Sequence, residues 1–212
     1  MKSLLVIIYI MVGLCAHAQK RFSEGSMQFT IRAKGDSIAQ ETDVKGFCFI
    51  KGAHYYSKLT NQLGTATTVF DAREGVGAVH YEYGSQRIMV SLDREKWQDK
   101  NATLKPRNLH FENLQDTLHI LGFHCVSAKA LLPDSSILKI FYTEEIVPEN
   151  TDVEWQFSQI RGLVLAVELI TNGRILELKT DQMSFDPVPI QKFDISGIGY
   201  RTLDYWESKK LK

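Results

Sequence analysis

Two apolar runs, Gly162–Thr171 and Arg174–Met183, meet at Asn172-Gly173, and that dipeptide constrains the fold of this chain more than any other stretch. Both central residues of a type I′ turn need positive φ, which Asn and Gly tolerate best, so the segment reads as a β-hairpin. With Asn172 and Gly173 as the turn, Thr171 faces Arg174, Ile170 faces Ile175, Leu169 faces Leu176 and Val167 faces Leu178. Strand side chains alternate between faces, so Leu165, Val167, Leu169, Leu176 and Leu178 share one apolar side. An earlier pair has the same form, a strand ending near Leu131 and one starting near Ile137, joined by a Leu-Leu-Pro-Asp-Ser-Ser turn. Together they predict a four-strand antiparallel meander.

The remaining strands follow from alternation. Met27, Phe29 and Ile31 alternate with polar residues; Val44–Leu59 carries Phe47, Phe49 and Tyr55-Tyr56, with Gly46 and Gly52 read as bulges or sharp curvature. Shorter runs follow at Thr65–Asp71, Gly77–Tyr83 and Arg87–Leu92, a spacing that predicts an antiparallel sheet rather than alternating β and α units. Asp93 suits the cap of a short helix within Asp93–Lys105, and Pro187 and Pro189 exclude an interior strand after the meander. Near the C-terminus, Leu203 and Trp206 stand at helical spacing, with Lys209 and Lys210 in the last turn. The expectation is one mainly β domain over residues 19–212: a single curved antiparallel sheet of about nine or ten strands, a short covering helix and a C-terminal helix.

The first 18 residues stand apart. Lys2, an apolar run from Leu4 to Leu14 and Ala16-His17-Ala18 have the form of a secretory signal peptide cleaved after Ala18. Lipidation at Cys15 is the competing reading, disfavoured by the large Leu14 before it, and the run falls short of the roughly 20 residues a bilayer needs. The expected location is periplasmic or secreted, with membrane association at most peripheral. Lys2 is the only charged residue in this leader, so 24 basic residues face 25 acidic ones in the rest. That balance gives no support for a nucleic-acid partner. Cys48 and Cys125 remain, either as a disulfide or as two buried thiols, alternatives that spacing does not separate.

No motif carries catalysis: there is no Gly-x-Ser-x-Gly elbow, no His-Glu-x-x-His and no phosphate loop. Glu168 and Glu177 face each other in the hairpin register, but paired carboxylates on a solvated sheet need no special role, and Lys179 lies diagonally across from Glu168 as a counter-charge. His80 and Glu82 share a strand face without further ligands nearby, and His119 and His124, an odd number apart, would point to opposite faces of a regular strand. Asn101-Ala102-Thr103 fits a glycosylation sequon, which matters only in a host with that machinery. No cofactor, metal site or catalytic residue is expected. Strand aromatics Phe29, Phe47, Phe49, Tyr55, Phe70, Tyr81, Tyr83 and Phe141 could line a cavity or pack beneath a helix.

Several motifs in this order are familiar as a set: Gly122-Phe123-His124-Cys125-Val126-Ser127-Ala128, Phe141–Ile146, Gly162–Leu165 and Gly199-Tyr200. They resemble the GLPGLI family of secreted envelope proteins and, more widely, the LolA/LolB lipoprotein-carrier superfamily; Ile160–Leu165 lacks the proline of the name-giving motif. The resemblance implies a half-barrel covered on its concave side by helices, with an apolar interior able to hold acyl chains. A lipid or lipoprotein would then be the partner, with Leu165, Val167, Leu169, Leu176 and Leu178 facing it. The alternatives are an envelope interaction module with a filled core and a hydrolase with an unrecognised site.

Overall fold

The computed structural model describes residues 19–35 and 43–210. Residues 1–18, on which the expected signal peptide, its cleavage after Ala18 and the alternative lipidation at Cys15 all fall, lie outside them. Among the described residues there are fourteen strands, more than the nine or ten expected: the three-residue strands Lys20–Phe22, Ile146–Pro148 and Arg201–Leu203 escape any periodicity argument, and the run Val44–Leu59 divides near Gly52 into two strands. In chain order they are β1 (Lys20–Phe22), β2 (Glu24–Lys34), β3 (Val44–Lys51), β4 (His54–Thr60), β5 (Thr65–Asp71), β6 (Val76–Tyr83), β7 (Gln86–Asp93), β8 (Glu112–Ile120), β9 (Phe123–Leu131), β10 (Ile137–Thr143), β11 (Ile146–Pro148), β12 (Leu163–Thr171), β13 (Arg174–Ser184) and β14 (Arg201–Leu203). Helix α1 spans Arg94–Asn101 and α2 spans Tyr205–Lys209.

Twelve strands form one open sheet in the order β14-β7-β6-β5-β4-β3-β2-β13-β12-β10-β9-β8, and β1 pairs with β11 in a second, two-stranded sheet. The large sheet is antiparallel except at one edge, where β14 runs parallel to β7. This is the half-barrel that the resemblance implies: among the described residues, mainly β, with a single large open sheet, two α-helices and no closure. Two meanders, β2–β7 and β8–β13, meet at a seam where β2 pairs with β13. The expected hairpin register holds throughout, from Thr171↔Arg174 to Val167↔Leu178, and Asn172 and Gly173 take φ of 47° and 76°.

Register places side chains on two faces. The inner face carries Ile50, Tyr55, Phe70 and Leu92 in one row, Met27, Cys48, Ser57, Thr68, Val79 and Val90 in the next, and Phe29, Gly46, Leu59, Ala66, Tyr81 and Ile88 in a third. Gly46 marks no bulge, contrary to expectation, for β3 pairs evenly on both sides. A Cβ there would lie 1.9 Å from the Phe29 ring, so the glycine lets that ring lie across the strand. Helix α1 covers the first row: Asp93 caps it by accepting from the Lys96 amide at 2.9 Å, and its one buried residue, Trp97, stacks on Phe70 with centroids 4.3 Å apart.

The opposite face of β3–β6 is covered by the segment after β13. Val188 and Phe193 pack with Val69, Phe49 and Tyr56, and Tyr200 lies against His80 at 4.8 Å. The chain then adds β14 to the edge and turns into α2. Here the expected helix is corrected: Leu203 belongs to β14, Trp206 is 43% exposed and Tyr205 is the buried anchor. The Tyr205 hydroxyl donates to Asp99 on α1 at 2.6 Å, and Lys209 reaches the same carboxylate at 2.6 Å. The last residues thus strap the sheet from outside and hold α1 from its edge.

Candidate functional site

The inner face is closed over its first two rows by α1 and by the non-repetitive segment 149–162, which follows β11. Gln156 docks that segment on β12 by a reciprocal pair: its Nε2 donates to the Val164 carbonyl at 3.1 Å, and the Val164 amide donates to its Oε1 at 3.0 Å. The Trp97 indole donates to Asp152 at 2.8 Å. Between helix and sheet sits Glu154, buried and accepting from the Tyr55 hydroxyl at 2.8 Å and the Ser57 hydroxyl at 3.0 Å. Lys100 of α1 completes its shell with a charged hydrogen bond. Burial pushes the Glu154 carboxyl up, but the Lys100 charge and the three hydrogen bonds outweigh it and hold the group below the ordinary carboxylate range. Burial raises the Tyr55 hydroxyl well above its usual value.

Just past α1, the Lys105 ammonium donates to the Thr151 carbonyl at 3.4 Å and to the Val153 carbonyl. Burial brings it down to about 8, against the pull of Asp152 and Glu154. Lys105 also borders a cleft of about 380 Å³ whose walls include Arg107, Leu109, Asp152, Gln156 and Phe157. The closed half of the hollow is filled by the protein's own side chains, with a cleft of mixed lining at its margin.

The third inner row is not closed in the same way. Leu59, Ala66, Tyr81 and Ile88 are only half-buried, as are Ile31 on β2 and Leu169 on β12. The five leucine and valine positions expected on one side do share it, and they grade from interior to surface. Leu165, Val167 and Leu178 are buried, Leu169 is half-buried, and Leu176 is 43% exposed. Tyr83 is exposed further along the same face and stacks with Tyr81 at 6.0 Å. Of the other strand aromatics, Tyr55 and Phe70 lie in the closed half, Phe47 and Phe49 on the opposite face, and Phe141 is buried in β10.

The remaining candidates separate. No disulfide links Cys48 and Cys125: both thiols are free and buried. They stand on β3 and β9, which are five places apart in the strand order, beyond the roughly 7 Å that a disulfide spans between Cα atoms. Burial pushes Cys48 up to about 12 and Cys125 up to about 11. Glu168 and Glu177 are cross-strand partners; Glu177 pairs with Lys34 at 2.7 Å, and among the described residues the expected counter-charge of Glu168, Lys179, makes no ion pair with it. Glu82 accepts from the Tyr200 hydroxyl at 2.6 Å, while His80 is buried beside it with Nε2 unpartnered. His119 and His124 do not point to opposite faces: a turn at Leu121-Gly122 lies between them and makes them direct partners across β8 and β9. Among the described residues, no group of three or more His, Cys, Asp or Glu side chains is placed to hold a metal ion.

No family model matches the chain, and no curated protein matches it. Several solved structures do. PNGF-II is 12% identical over 87% of this chain and 33% of its own, with a TM-score of 0.46. MucB is 11% identical over 90% of this chain and 63% of its own, with a TM-score of 0.44. A LolA superfamily protein from Nitrosomonas europaea is 12% identical over 84% of this chain and 91% of its own, with a TM-score of 0.36. The chain thus spans a third of the first of these and under two thirds of the second.

Proposed function

We propose that this chain is a non-catalytic protein of the cell envelope that binds a hydrophobic ligand, a lipid or the acyl chain of a lipoprotein, on the open half of its inner face. The supporting observation is a set of apolar inner-face residues, Leu59, Tyr81, Ile88, Ile31, Leu169 and Leu176, which lie in neighbouring rows and keep surface exposed. Apolar surface on a concave wall gains roughly 25 cal/mol for each Å² that an acyl chain removes from water. The filled half serves as the floor of the site and limits how far a chain can enter. The test is native mass spectrometry, with lipid extraction, of protein purified from its own envelope. The expected result is a co-purifying adduct of lipid mass that is lost in Leu176→Gln; an adduct-free protein overturns the reading.

A second reading has its own support. The buried Glu154–Lys100 pair and the Gln156 clamp make the closed half a finished core, as suits an interaction module that uses only its outer surfaces. That reading predicts no lipid adduct and no change in fatty-acid uptake on altering Leu176.

A further inference from the structure

Leu121 and Gly122 take φ of 53° and 83°, the pair of positive values that a two-residue primed turn requires. The turn sets the register of β8 against β9, so that Ile120 faces Phe123 and His119 faces His124. In antiparallel pairs, hydrogen-bonded and non-bonded positions alternate, and side chains come closest at the non-bonded ones. His119 and His124 occupy such a position: the His124 amide donates away from β8, to the Glu145 carboxylate at 3.3 Å. The two rings lie with centroids 5.4 Å apart and planes at 67°. Both histidines are exposed, and Leu118 and Leu121 beside them add apolar surface to the rim.

Two imidazoles fixed on adjacent strands form a chelate, because the hairpin has already met the cost of bringing the second ligand to the first. A bound ion needs nitrogens about 2.0–2.1 Å from itself, which side-chain rotation supplies from this separation without backbone movement. We propose that His119 and His124 together bind one late first-row divalent ion, Cu(II) or Zn(II), at the tip of the β8–β9 hairpin. Imidazole favours these ions, whereas Mg²⁺ and Ca²⁺ seek carboxylate and carbonyl oxygen. Since no third ligand is placed beside the pair among the described residues, water fills the other positions. The site is therefore of the open kind rather than the closed four-ligand structural kind. The site stands apart from the proposed lipid-binding surface, because the pair lies on a hairpin that contributes no residue to the apolar surface around Leu176.

The test is calorimetric titration of the untagged, chelator-treated protein with copper and zinc chloride, alongside His119→Ala, His124→Ala and, as a control elsewhere on the surface, His110→Ala. One ion per chain is expected, bound at least tenfold more weakly in each of the first two variants and unchanged in the control. Imidazole nitrogen resonances should shift on metal addition for His119 and His124 together. Unaltered affinity in either variant, an equal loss in the control, or no saturable binding by the unaltered protein overturns the proposal.

Discussion

Lys100 and Glu154 form a charged hydrogen bond in the hollow of the sheet, tying α1 to the segment that fills the space beneath it. Glu154 is almost fully enclosed, whereas the Lys100 side chain keeps 24% of its surface in water. The asymmetry decides which partner is the more dangerous to remove. Lys100→Met leaves a buried carboxylate without its counter-charge and should cost about 3 kcal/mol, the lower end for breaking a buried pair, because Lys100 is partly hydrated. The double change Lys100→Met with Glu154→Leu should recover part of that loss. Urea denaturation of the three proteins measures both.

The same carboxylate predicts a pH dependence. Its folded value lies below its unfolded one, so its contribution is complete above the ordinary carboxylate range and is lost as pH falls through the folded value. Glu154→Gln should therefore flatten the acid limb of a stability profile and lower its plateau near neutrality. A mutant profile parallel to the parent's at every acid pH would contradict this.

Lys105 adds a dependence of the same sign in the alkaline range. With its folded value at about 8 against an ordinary 10.5, the unfolded chain holds more protons between those limits, and this residue's contribution to stability rises with pH across them. Relative to Lys105→Met, the parent protein should gain up to about 3 kcal/mol from pH 8 to 10.5. Parallel thermal melts of the two proteins over that range read the difference directly.

Buried thiols predict chemical silence. Cys48 and Cys125 should not react with a thiol reagent in the folded protein and should react fully after denaturation, since burial withholds both access and the thiolate. Mass spectrometry should show no change on reduction. Rapid labelling of either residue in the native state would show that its strand opens.

The graded leucines separate core from site. Leu165→Ala removes a fully buried side chain and should cost about 2–5 kcal/mol. Leu176→Gln, at the exposed end of the same face, should stay within about 0.5 kcal/mol of the parent while reducing uptake of a fluorescent fatty acid. Thermal melts and fluorescence titration of both variants distinguish the two roles.

The same leucines show where sequence reasoning runs out. Alternation in β12 and β13 identifies the shared side of Leu165, Val167, Leu169, Leu176 and Leu178, because side-chain parity is local. How deep each lies depends on what covers the sheet, and the cover comes from α1 and from residues 149–162. Nothing periodic marks Glu154 or Gln156, and the Lys100 partner is 54 residues away along the chain. The His119–His124 pairing was hidden by a turn beginning with leucine, a residue that rarely takes positive φ. Leu203 and Trp206 fit a helical spacing over a stretch that becomes a three-residue edge strand followed by a short helix. The hairpin at Asn172-Gly173 was legible in full because its chemistry and its alternation point the same way.

The seam between β2 and β13 also orders events in time. Every pairing from Ile175↔Lys34 to Ser184↔Ser26 joins residues about 140–160 positions apart along the chain, so the two meanders can each form locally but cannot join until the second is nearly complete. Such distant closure slows folding. Until it occurs, β2 and β13 each present an unpaired edge, the kind that other chains can pair with. The strap that follows β13 is made later still. A chain halted before residue 185 would hold both meanders and lack the segment that grips α1, so residues 185–210 turn an assembled sheet into a finished protein.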